Sequence, residues 1–120
     1  MALFGFRKNK EAQNAGGDFS IYDSMDKVQG AVKKGILAPM YLISPVFGGA
    51  EDVGNILYVP PAIIQHKDSI DNILADALQN GKRVQGFSIT PQYRGKSIVP
   101  CSIDVKAGGD VDIAETINIW

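Results

Sequence analysis

Three neighbouring side chains in this sequence could share one chemistry. Tyr93, Arg94 and Lys96 bring a phenol, a guanidinium and an ammonium into one short stretch. Such a set can hold a carboxylate, a phosphate or a nucleic-acid backbone, because charged donors bind oxyanions more strongly than neutral ones. Two acids, Glu51 and Asp52, stand in a Gly-rich stretch that occupies the corresponding place in the first half of the chain. Opposite charge at equivalent positions predicts that the two loops meet, between halves or between subunits, with Glu51 and Asp52 facing the partner.

The remaining reactive residue types do not assemble. His66 is the single histidine and Cys101 the single cysteine, so one chain cannot build a zinc site of familiar ligand type. His66 lies between Gln65 and Lys67 and reads as an exposed loop residue ahead of a helix cap. Cys101 alternates with Ile103 and Val105, which predicts a buried small hydrophobe in mid-strand, with no basic neighbour to generate a thiolate. Gly95-Lys96-Ser97 ends like a phosphate-binding loop, but Thr90 stands where that motif needs its first glycine, and a strand pattern follows instead of a helix. The pairs Glu51-Asp52 and Asp110/Asp112 fall in turn-like segments, where solvated charge is the ordinary explanation rather than acid–base catalysis. No catalytic set, metal or cofactor is expected.

A chain of 120 residues with formal net charge −1 and 45% hydrophobic residues suits a single domain. At this size about two-thirds of the unfolded surface can be buried, so neither disulfide nor metal is needed for a core. The charge is unevenly spread. Between Asp76 and Asp104 stand Lys82, Arg83, Arg94 and Lys96 but no acid. That window is thin for a nucleic-acid binder, which usually has a basic overall balance. No window approaches the ~18 apolar residues of a membrane span, and the apolar start is followed, not preceded, by its basic residues, unlike a signal peptide. A soluble, cytoplasmic protein without membrane contact is therefore expected. Residues 1–18 read as a flexible arm, with Leu3, Phe4 and Phe6 as a docking hook or a frayed end.

Residues 19–120 carry the regular pattern. Phe19 to Tyr22 alternates like a short strand. Asp23 or Ser24 caps a helix whose Met25, Val28 and Val32 share a face. Gly35 suits the left-handed position after the helix. Ile36–Ile43 reads as a strand, placed at an edge by Pro39, which cannot donate to a ladder. Ile56–Ile64 reads as another, interrupted by Pro60-Pro61. Asp68 and Ser69 cap a second helix with Ile70, Ile73, Leu74, Ala77 and Leu78 on one face. Strands are predicted over Arg83–Thr90, stopping at Pro91, then over Ser97–Lys106 and Val111–Trp120, the last two joined by the turn Ala107-Gly-Gly-Asp110.

The halves resemble each other. Asp23-Ser-Met-Asp26 matches Asp68-Ser-Ile-Asp71, Gly35 matches Gly81, and each glycine precedes a proline, Pro45 or Pro91, by ten residues. Val59-Pro60 with Ile63 matches Val99-Pro100 with Ile103. The expectation is an α+β fold of two tandem helix–strand–strand units, 19–64 and 65–107. They form one mostly antiparallel sheet with two helices on one face, and the strand 111–120 is hairpinned to it. The leading functional expectation is a small, non-catalytic binding or assembly module acting through protein–protein contact. Ala114–Trp120 would offer a sheet edge to a second copy. An anion- or small-ligand-binding domain, or a minor enzyme, using Tyr93, Arg94 and Lys96 is the alternative, and a nucleic-acid binder the third.

Overall fold

The computed structural model describes residues 18–120. All of the expected arm except Asp18, including the hook residues, lies outside the described residues. The chain runs α1 (Met25–Lys33), β1 (Ala38–Tyr41), short 3-10 turns at Pro45–Phe47 and Val53–Asn55, and β2 (Ile56–Val59). It continues with α2 (Pro61–Gln79), β3 (Val84–Gln92), β4 (Ser102–Gly109) and β5 (Ile113–Asn118). The fold is α+β. Its strands make two antiparallel sheets, a β1–β2 pair and a β3–β4–β5 meander, where one continuous sheet was expected.

Local chemistry explains most boundaries. The Ser24 side chain accepts the Lys27 N–H and caps α1. Both helices leave by the same exit. Gly35 and Gly81 each have φ +77°, a conformation that costs a side chain dearly. Ile36 and Lys82 donate back to Ala31 and Ala77, while Gly35 and Gly81 donate to Val32 and Leu78. That paired pattern satisfies carbonyls that a helix end leaves orphaned.

The helix starts differ. α2 begins at Pro61, eight residues before Ser69. Proline at the first helical position is pre-set in φ and gives up an N–H that had no partner anyway. Pro60-Pro61 therefore starts a helix rather than interrupting a strand. Asp68 and Ser69 sit mid-helix, and the Ser69 hydroxyl donates to the Gln65 carbonyl at 3.1 Å instead of capping anything. The earlier start rotates the buried stripe to Ile63, Lys67, Ile70, Leu74 and Ala77. Ile73 and Leu78, expected inside, are about half exposed.

Three further expectations are corrected. Phe19–Tyr22 forms a turn rather than a strand. β3 runs through Pro91, which pairs with Ile103; proline is tolerated because β3 is an edge whose outer side has no partner strand among the described residues to miss its N–H. The segment from Ser97 to Cys101 is irregular, and β4 begins only at Ser102. Pro39 does lie at an edge, opposite Tyr58 in the two-stranded sheet.

Two clusters form the core. The larger joins Met40, Leu57 and Val59 of the small sheet to Ile63, Ile70 and Leu74 of α2 and to Ile103, Val105 and Ile117 of the meander. The smaller packs Val28 and Ala31 of α1 with Phe19, Leu37 and Val99. The helices thus serve different clusters rather than lying side by side on one face. Ser97, 4% exposed, ties the second cluster to the incoming chain by donating to the Phe19 carbonyl at 2.7 Å.

Candidate functional site

The loop after β3 does gather Tyr93, Arg94 and Lys96, but in unlike surroundings. The Arg94 guanidinium carbon lies over the Trp120 ring, 4.8 Å from its centroid, a cation–π contact. Asp18 is held below the usual carboxylate range, first by the Ser20 hydroxyl and N–H and then by the nearby Arg94. Tyr93 is half exposed, and its partial burial raises the phenol above its ordinary value. Lys96 is exposed. The loop is an exposed basic turn with one guanidinium over an aromatic ring.

The acidic residues have local work. Tyr41 donates its phenolic proton to Glu51 Oε2 at 2.6 Å, and this bond raises the Tyr41 pKa. Asp52 accepts the Gly54 N–H at 2.9 Å and caps the second 3-10 turn. Among the described residues no ion pair joins Glu51 or Asp52 to Arg94 or Lys96. His66 is exposed as expected but stands on α2, with Nε2 3.0 Å from Glu115 Oε1 on β5. Cys101 is half-buried and lies just before β4. Its N–H donates to the Gln92 carbonyl and its own carbonyl accepts from Ile119 and Trp120.

The outer strands of the meander differ. β3 carries Pro91, and its register with β4 shifts between Gln85 and Ser88, where Gly86 has φ +64°. Prolines and bulges of this kind are what sheet edges use to discourage further pairing. β5 has neither, and its ladder to β4 is unbroken from Ile113 to Asn118. Ala114, Thr116 and Asn118 are exposed. Thr116 Oγ1 donates to Asp104 Oδ1 across the strands at 2.7 Å. The opposite face of β5 turns Ile117 into the core, and the one charge on that face, Glu115, reaches His66.

Sequence reasoning passed over one further arrangement. Lys67 is 1% exposed and donates to Asp71 Oδ2 at 2.8 Å. The other oxygen, Asp71 Oδ1, is buried without a hydrogen-bond partner among the described residues. A cavity of about 120 Å³ beside the pair is lined by Tyr41, Ser44, Lys67, Asp68 and Asp71, among others. The available signal was spacing: with a helix start at Pro61, Lys67 falls within the apolar stripe, and a lysine there demands a partner.

No protein-family model matches the chain, and comparison with curated proteins finds no match. No described helix is long and apolar enough to cross a membrane. Among the described residues no three His, Cys, Asp or Glu side chains group as metal ligands.

Proposed function

We propose that this protein is a non-catalytic binding or assembly module that works through protein–protein contact, and that the contact is edge-to-edge pairing of β5 with β5 of a second copy. The carrying observation is the unguarded outer side of β5, set in the same sheet as a guarded β3. A two-fold pair of identical strands is antiparallel and self-complementary. Centred on Thr116, it would set Glu115 opposite Ile117 of the other copy and keep like charges apart. A six-residue strand gives less than the ~1,200 Å² of a standard interface, so the dimer should be weak and concentration-dependent.

Sedimentation velocity up to about 1 mM protein tests this. Wild type should shift from monomer towards dimer. The double variant Ala114→Lys/Thr116→Lys, with charges on the outward face of β5, should remain monomeric with an unchanged circular dichroism spectrum. A wild type that stays monomeric throughout would remove the reading.

Anion binding at Tyr93, Arg94 and Lys96 is the second reading, and one observation favours it. The Arg94 guanidinium lies over the Trp120 ring, and a guanidinium's N–H groups suit bidentate capture of a carboxylate or phosphate. Saturable phosphate-induced shifts at these residues, lost in Arg94→Ala, would support it; salt-dependent retention on a phosphate resin would extend it to nucleic acid.

A further inference from the structure

A recess on the outer side of α2 plays no part in the pairing of β5. It holds about 410 Å³ and is lined by Val46 and Phe47 of the first 3-10 turn and by Ala75, Leu78 and Gln79 of α2. Val46 is 76% exposed and Leu78 48%. Phe47 packs edge-on against Phe87, with ring centroids 6.1 Å apart. Apolar side chains gathered in one concavity and left in water favour an apolar occupant.

The recess continues into an acidic stretch. Asp68, Asn72, Ala75 and Gln79 recur every three to four residues and so share one face of α2. A cavity of about 190 Å³, lined by Asp68, Asn72 and Ala75 on the helix and by Val46 and Phe47 opposite, joins the two parts. Over about 15 Å, at ~1.5 Å per residue, the groove passes from negative at Asp68 to apolar at Leu78. α2 carries three acids, Asp68, Asp71 and Asp76, and one lysine, Lys67, which is buried against Asp71.

One segment of this chain has the same gradient in its residues. Leu3-Phe4-Gly5-Phe6 is apolar, and Arg7-Lys8-Asn9-Lys10 follows it directly with three positive charges. Phe4 to Lys10 spans at most about 20 Å, enough to cover the groove. A cavity of roughly 150 Å³ takes one benzene ring, so the recess has room for the rings of Phe4 and Phe6. The point of attachment suits the same path. Phe19 packs in the cluster that Tyr58 and Trp120 border, and Tyr58 stands three residues before Pro61, where α2 starts. The chain therefore joins the fold near the start of α2. From Lys10 to Asp18 it reaches up to about 27 Å, against about 10 Å along the helix from Pro61 to Asp68. Traced back from Asp18, the chain offers its basic residues before its apolar ones. The groove, followed from the helix start, offers its acids before its recess.

We propose that residues 3–10 dock on their own chain along α2, with Phe4 and Phe6 in the recess formed by Val46, Phe47 and Leu78, and with Arg7, Lys8 and Lys10 along the acidic stretch at Asp68. Burial of the rings supplies the affinity, and the charges set the direction. Tethering keeps the segment at a high effective concentration, so a contact too weak to hold a free peptide is still populated.

Nuclear Overhauser spectra of the whole chain test the proposal. They are recorded at a concentration where sedimentation shows monomer, so a failure of β5 pairing and a failure of this docking are told apart. Ring protons of Phe4 and Phe6 should show cross-peaks to the methyl groups of Val46 and Leu78. Leu78→Glu should erase them with an unchanged circular dichroism spectrum. Val46→Glu, at a more exposed position, is the second variant should Leu78→Glu disturb the fold. Phe4→Ser/Phe6→Ser should move the amides of Val46–Gly48 and Ala75–Gln79 and leave those of β5 in place. Arg7→Glu/Lys8→Glu/Lys10→Glu should weaken the cross-peaks, as should added salt. Absent cross-peaks, cross-peaks that survive Val46→Glu and Leu78→Glu, or recess amides unmoved by the serine variant would overturn the proposal. Two further results would do the same by naming another occupant or another target. One is cross-peaks found only between differently labelled copies, which would put a second copy's segment in the recess. The other is transfer of Phe4 and Phe6 to anionic lipid vesicles with the recess amides unperturbed.

Discussion

β3 and β5 flank the same central strand, yet only β3 carries the features that keep a sheet edge from recruiting another chain. β3 has Pro91, a register shift at Gly86, and a clamp at its start, where the Arg83 N–H donates to Asp110 Oδ2 at 2.8 Å and the Asp110 N–H returns to the Arg83 carbonyl. β5 has a regular ladder and one charged side chain, Glu115, drawn towards His66. Two edges of one sheet share solvent, temperature and folding history, so a difference between them reflects what each strand's residues do. On the proposed reading the β3 edge resists pairing, and the β5 edge, which has no partner strand among the described residues, is where a second chain would add.

Removing the guard should have the largest effect. Pro91→Thr restores an N–H to the outer side of β3, giving each copy two competent edges. Closed dimers should then give way to open-ended association, read as a light-scattering mass that climbs with concentration beyond that of a dimer. Adding Ala114→Lys and Thr116→Lys to that variant should return the mass to dimer or below. Growth that ignores the β5 lysines would show that β5 takes no part.

A moderate effect is expected from Gly86→Ala. The site offers open space for a Cβ, but φ is +64°, so only backbone strain is added, costing about 1 kcal/mol. Chemical denaturation should report that loss while the dimerisation constant stays put, which separates the stability of the β3 edge from its sociability. Glu115→Gln should change stability by less than about 0.5 kcal/mol, as expected for an exposed polar contact. It should tighten dimerisation by no more than a few fold, because only one exposed charge is removed from the pairing strand.

The smallest effect concerns the clamp. The Arg83 N–H lowers the Asp110 pKa, with the Arg83 side chain adding to it. A carboxylate depressed in the folded state stabilises above its unfolded pKa, near 3.9, and that contribution is lost as pH falls through the lower folded value. Asp110→Asn should therefore lower the thermal midpoint slightly at neutral pH and converge with wild type in acid, which flattens the acid limb of the profile.

Much of this contrast was legible in the sequence. Gly35 and Gly81 marked both helix exits, because left-handed backbone chemistry is local, whereas Ala107-Gly-Gly-Asp110 marked the reversal too early: Ala107–Gly109 end β4, and the chain turns between Gly109 and Ile113. The α+β class follows from the same punctuation. The start of α2 was misplaced because Pro60-Pro61 stops a strand and opens a helix with equal ease, and only the core around Ile63 decides between them. The matching Val-Pro-x-x-Ile runs diverge for that reason: Ile63 is buried from a helix and Ile103 from a strand. The loop residues Tyr93, Arg94 and Lys96 were visible as charge, whereas the cation–π contact with Trp120 joins distant residues. Lys67 was hidden twice, by the late helix start and by the habit of placing lysines outside.

Hydrogen–deuterium exchange at two protein concentrations bears most directly on the central claim, since it reports which edge is covered. Backbone amides on the outer side of β5, from Ala114 to Asn118, should gain protection as concentration rises, while those of β3 exchange at an unchanged rate. Protection that grows along β3 instead, or β5 amides that exchange at the same rate at both concentrations, would contradict the account.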